Sequence, residues 1–78
     1  MKADMYDKIR LLIDIQAEFS GMTIPNGTEG VIVDCFAAPT EGYSVDFTLP
    51  DPKTQGGSNF AHSTIYPDQF EVIGHLQK

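Results

Sequence analysis

One thiol and two imidazoles are the groups in this sequence best suited to covalent or acid–base chemistry. Cys35, with His62 or His75 as base and Asp46 as orienting acid, supplies the residue types of a nucleophile–base pair. Cys35 also continues an apolar face with Val31 and Val33, which predicts a buried, inert thiol. A metal centre asks for clustered ligands at short spacing, and a single cysteine with histidines thirteen residues apart does not provide them. Asp14 with Glu18, or Asp34 with Asp46, could pair for acid–base work. Such a pair needs a cleft, and a chain of 78 residues is too short to enclose a deep one. The Gly27-Thr28-Glu29-Gly30 turn lacks the Lys-Ser/Thr of a phosphate loop, and Glu29 would repel phosphate. An aromatic cage for a methylated cation could draw on Tyr43, Phe47, Tyr66 and Phe70 with Asp46. The first two lie on an alternating apolar face, which places them in the core. The expectation is therefore no catalysis, no metal and no cofactor.

Charge is the stronger signal. The formal net charge is −6 with a pI near 4.5. No Lys or Arg stands between Arg10 and Lys53, whereas Asp14, Glu18, Glu29, Asp34, Glu41, Asp46 and Asp51 do. A surface that tracks phosphates needs clustered basic groups to replace condensed counterions. This chain would repel polyanions and anionic lipid alike. Nucleic acid and membrane are thus poor partners, and a basic protein is a better one. Asp34 and Asp46, flanked by Glu41, are the predicted contacts, with Phe60 or Tyr66 as an aromatic anchor.

The elements that must position these residues are short. A chain of this length buries only about 60–65% of its unfolded surface, which allows one small domain over residues 1–78. Its apolar fraction of 41% is enough for a packed core. One cysteine excludes an intrachain disulfide and fits a reducing compartment. With no signal-like run at the N-terminus and no span of roughly 18 apolar residues, a cytoplasmic protein is expected.

Ile9, Leu12, Ile13 and Phe19 would line one helical face, whereas Ile9, Leu11, Ile13 and Ile15 alternate as in a strand. The β-branched isoleucines favour the strand. Ile24-Pro25-Asn26-Gly27 signals a turn. Gly30 opens a β-branched run through Phe36, with Val31, Val33 and Cys35 on one face and Ile32, Asp34 and Phe36 on the other. In Tyr43–Leu49, Tyr43, Val45, Phe47 and Leu49 point one way and Ser44, Asp46 and Thr48 the other. Leu49–Asn59 reads as a loop, because two prolines oppose pairing and Gly56-Gly57-Ser58 favours mobility. Extended structure resumes at Phe60–Ile65. Residues 66–69 form a single helical turn with Pro67 at its start, and Phe70–Ile73 is a last strand before a loose tail at 74–78. Five short strands suggest a small barrel, which removes exposed edges.

Several pieces, in order, resemble the bacterial family known as domain of unknown function 4926. They are Tyr6-Asp7 with Ile9 and Leu11, then Ile24 through Val33, Tyr43 through Phe47, and Asp68 through Ile73. The likeness covers roughly residues 6–73 and implies an SH3-like β-barrel with a strand at the first segment. It carries over no catalytic residue. Members of that family look like frequent companions of toxin-type proteins, which implies an immunity or antitoxin role toward a basic, possibly nuclease, toxin. The Leu49–Asn59 connection is longer than is usual there. An adaptor barrel that binds a peptide beside that connection, within a larger complex, is the other reading.

Overall fold

The computed structural model describes residues 2–18, 21–50 and 58–75. The first strand, β1 (Asp7–Leu11), turns Asp7, Ile9 and Leu11 inward. A two-stranded excursion follows, β2 (Ile15–Gln16) against β3 (Thr23–Ile24), with Ile15 opposite Ile24. Then come β4 (Glu29–Phe36), β5 (Gly42–Pro50) and β6 (Ser58–Ile65). A 3-10 turn over Pro67–Gln69 leads into β7 (Phe70–His75). The main sheet is antiparallel and runs β6-β5-β4-β1-β7. This is the expected all-β architecture built on a five-stranded sheet, and the turn falls within residues 66–69.

The barrel is not closed. Among the described residues no ladder joins β6 to β7, so both remain edges. Curling does the work that closure would have done. In a flat sheet the backbones of β5 and β7, three spacings apart, would stand about 14 Å from one another. Instead the rings of Tyr43 and Phe70 meet edge to face, with centroids 5.3 Å apart at 80°. Ile9, Leu11, Ile32, Val45, Phe47, Ile65 and Phe70 consequently share one core. The β6 edge is also guarded, since Glu18 N–H donates to His62 O at 2.9 Å and Glu18 Oε2 accepts from Thr64 N at 3.2 Å.

Several local expectations change. The first strand stops at Leu11, and both Leu12 and Ile13 are exposed, so the alternation from Ile9 does not continue to Ile15. The cause lies in the turn behind it. Leu11 exchanges backbone hydrogen bonds with Gly27 and Thr28, and Asp14 Oδ1 accepts from Asn26 N at 2.7 Å, which bends the chain away. Gly27 has φ +92°, the conformation for which glycine suits this turn.

A register shift between Ile32 and Asp34 reverses the parity of β4. Ile32 is fully buried, Val31 and Val33 are half-buried, and Cys35 packs against the core on the far side of the bulge. The predicted Val31/Val33/Cys35 face is therefore split. Asp34 and Phe36 stay outside, as expected.

The Leu49–Asn59 loop is shorter than predicted, because Leu49 pairs with Asn59 and Pro50 with Ser58. Pro50 is tolerated because β4 has already ended beside it: the β4–β5 ladder goes no further than Phe47, so no donor is missed on that side. Residues 51–57 lie outside the described residues. The last strand is longer than predicted, with Gly74 and His75 paired to Lys8 and Asp7 rather than loose; residues 76–78 lie outside the described residues.

Candidate functional site

Strand register decides which chemistry-bearing side chains meet. On the outer face Asp46 stands opposite Val31 on one side and His62 on the other. Asp46 Oδ1 lies 2.7 Å from His62 Nδ1, with both side chains about half exposed. Along the same face Lys8 Nζ reaches Glu29 at 3.1 Å, and Arg10 donates to Glu71 through Nε at 2.8 Å and a terminal nitrogen at 2.6 Å. The β1 side of this face is thus close to charge balance. Exposed pairs of this kind add little stability, but they remove free charge from the surface.

Asp34 lies one cross-strand row away, opposite Ser44 rather than opposite Asp46. Its Oδ1 accepts from Cys35 N at 2.9 Å. The compact Asp34–Asp46 patch predicted from alternation is therefore spread over two rows, and one of its acids has a histidine partner. Glu41 does different work. It accepts the Lys2 backbone N–H at 2.8 Å and the hydroxyl of Tyr43. The Lys2 N–H, and after it the Tyr43 hydroxyl, hold the Glu41 carboxyl below the ordinary range. Burial, and then the bond to Glu41, push the Tyr43 phenol up.

Glu41 gives a pH dependence with a definite sign. A carboxyl whose folded pKa is depressed contributes stability above its unfolded value near 4.5, and that contribution is lost as pH falls through the lower, folded value. Urea midpoints of the native protein should decline through this acid window. Glu41→Gln, which keeps an acceptor but cannot titrate, should flatten that part of the curve. Parallel acid curves for the two proteins would contradict the assignment.

The same end of the sheet is clasped by Lys2. Its ammonium donates to the carbonyls of Pro67 and Phe70 and stands 4.6 Å from the centroid of the Phe70 ring. Asp7, 2% exposed, is held by His75 Nδ1 at 2.8 Å and by the Asp4 N–H at 2.9 Å.

The Cys35–His62 combination does not assemble. Asp46 does orient His62, but Cys35 pairs with Tyr43 and packs toward the core while His62 lies on the outer face. Burial, followed by the carboxylates of Asp4, Asp34 and Asp7, pushes the Cys35 thiol up, away from the reactive thiolate. Among the described residues no three of His, Cys, Asp and Glu come together as metal ligands. The proposed aromatic cage does not form either, since Tyr43, Phe47 and Phe70 are fully buried.

Open grooves lie among the described residues, and two of these grooves are lined as follows. The larger, about 680 Å³, runs between the Pro25–Thr28 turn and the Asp46–Leu49 stretch of β5, with Lys8, Glu29 and Val31 along it. The smaller, about 350 Å³, lies on the outer face between Phe36, Pro39, Gly42, Thr64 and Tyr66. The predicted anchor Tyr66 borders this second groove and is 44% exposed. Phe60 belongs to β6 by its backbone, opposite Thr48, and its side chain lies outside the described residues. Phe36, 40% exposed, was missed as a site residue although its phase with Asp34 marked it as outward.

No protein-family model matches the chain, and no curated protein or solved structure is significantly similar to it. None of these comparisons identifies the family of unknown function 4926 that the sequence suggested. Among the described residues no helix is long and apolar enough to cross a membrane.

Proposed function

We propose that this domain is a non-catalytic binding module for a basic protein, in an immunity or antitoxin-type role that blocks a toxin by covering its cationic surface. One observation carries the reading. Every Lys and Arg among the described residues is engaged within the molecule: Lys2 on carbonyls, Lys8 on Glu29 and Arg10 on Glu71. The sequence carries a net charge of −6, and among the described residues Asp14, Asp34, Asp46 and Asp68 are exposed acids. Complementary potential accelerates encounter and selects the partner. The toxin assignment comes from the family resemblance, and a nuclease fits it because such an enzyme must be basic to hold nucleic acid.

Affinity purification from the native host, with the captured protein identified by mass spectrometry, supplies the test. The partner should have a high pI, elute with salt and inhibit growth unless this domain is co-expressed. Asp34→Lys should slow its association about three- to tenfold and weaken the salt dependence. Asp46→Lys should do less, because Asp46 already faces His62. An acidic partner, or association rates unmoved by Asp34→Lys, would count against the electrostatic reading. An adaptor that takes a peptide segment inside a larger complex is a second reading, favoured by the larger groove reaching Thr48 and Leu49.

A further inference from the structure

The smaller groove sets two exposed aromatic rings beside one another. Its position follows from the ladders. Asp34, Ser44 and Thr64 form one row across β4, β5 and β6, and Phe36 and Gly42 begin the next. Tyr66, one residue beyond Ile65, lays its ring over Gly42, where a Cβ would stand 3.4 Å from Tyr66 Cε1. A Cβ at this position would make ordinary van der Waals contact with the ring, so the ring lies close against the sheet here. Two large aromatic side chains thus flank a glycine floor from strands whose backbones are about 9.5 Å apart. Soluble proteins usually bury such rings, yet these remain 40% and 44% exposed.

Acidic residues neighbour the groove's lining along the strands. Asp34 sits two residues before Phe36 on the same face, and Glu18 reaches Thr64, with Oε2 accepting the Thr64 N–H at 3.2 Å. Glu41 directly precedes Gly42 but is engaged by the Lys2 N–H and the Tyr43 hydroxyl. Among the described residues no Lys or Arg lines the groove: Lys8 and Arg10 are paired on β1, on the other side of β4, and the Lys2 ammonium, which lies nearer, is engaged by the Pro67 and Phe70 carbonyls. An aromatic face attracts a cation, and a nearby carboxylate adds directed hydrogen bonds. Arginine satisfies both at once, because its guanidinium stacks flat on a ring while its edge donates to carboxylate oxygens.

We infer that the Phe36–Tyr66 groove is the docking point for an arginine side chain of a basic protein partner. The inference rests on the basic-partner reading and adds to it the face and the anchoring group. In the bound state the guanidinium lies on an aromatic ring with Asp34 or Glu18 as its acceptor. The larger groove, with Lys8 in its wall, offers a cation less.

The test is a ¹⁵N NMR titration of the full chain at low ionic strength with a capped Gly-Arg-Gly-Arg-Gly peptide, and with the same peptide carrying citrulline. Citrulline keeps the shape and removes the charge. Saturable shifts at Phe36, Gly42, Thr64 and Tyr66 are expected with arginine only. Phe36→Ala and Tyr66→Ala should each weaken the binding about three- to thirtyfold, and Asp34→Asn should weaken it with both rings intact. Circular dichroism of each variant checks that the exposed substitutions leave the fold unchanged. Equal response to citrulline, shifts centred on Lys8, Asn26 and Thr48, or no saturable shift would overturn the assignment. The two readings separate with the purified partner. Binding that is undiminished in Phe36→Ala and Tyr66→Ala removes the groove while leaving the basic-partner reading in place. Arginine-specific shifts without any basic partner in the host do the reverse.

Discussion

Phe70→Ala should leave the protein largely unfolded or close to it. A domain of this length has a total stability of about 4–12 kcal/mol, and truncating a buried phenylalanine to alanine removes about 3–5 kcal/mol. Phe70 is fully buried at the start of β7, where its backbone pairs with Leu11. Its ring meets Tyr43 edge to face at 5.3 Å and receives the Lys2 ammonium at 4.6 Å. Tyr43 belongs to β5, so this contact ties two strands that no hydrogen bond joins. The variant therefore loses burial and also the packing that keeps an unclosed sheet curled. Urea unfolding followed by circular dichroism is the measurement. A variant within about 1 kcal/mol of the native protein would show that the curl has another origin.

Gly30→Val should be nearly as damaging, for the opposite reason. Gly30 sits in β4 between Ile9 of β1 and Phe47 of β5. A Cβ there would stand 2.7 Å from Val45 Cγ1, 2.8 Å from Phe47 Cδ1 and 2.9 Å from Asp46 O. The side chains belong to the core and the third atom is backbone, so none can retreat cheaply. Overpacking of this kind costs about 1–3 kcal/mol for modest insertions, and valine adds two methyl groups beyond the Cβ. Gly30→Ala should show the same sign with a smaller size, partly offset because alanine suits a strand better than glycine. The signature is a lowered urea midpoint for Ala and a further drop for Val. An unchanged or raised midpoint for both would mean that the β4–β5 packing is looser than these distances state.

The same particulars show where the sequence was legible. Tyr43, Val45, Phe47 and Leu49 were read as one inward face from their alternation, and all four are buried. Pro67 marked the turn that precedes β7, and Asn26-Gly27 marked the reversal that precedes β4. These features are local, since a two-residue period or a positive φ is written in adjacent residues. Ile13 was misread because alternation says nothing about where a strand ends. Its end depends on Leu11 meeting Gly27 and Thr28, which are distant in sequence.

The amino-acid order alone determined an acidic all-β domain and the inward face of its longest strand. Tertiary structure decided the rest. It placed a bulge in β4 that put Ile32 and Cys35 inside together, gave each histidine a carboxylate and left the sheet curled but open. It also brought Phe36 and Tyr66, thirty residues apart, to one groove floored by Gly42. The physical reason is register. A single extra residue in one strand shifts every later cross-strand neighbour, and that shift is set by how the whole sheet packs rather than by the strand that carries it.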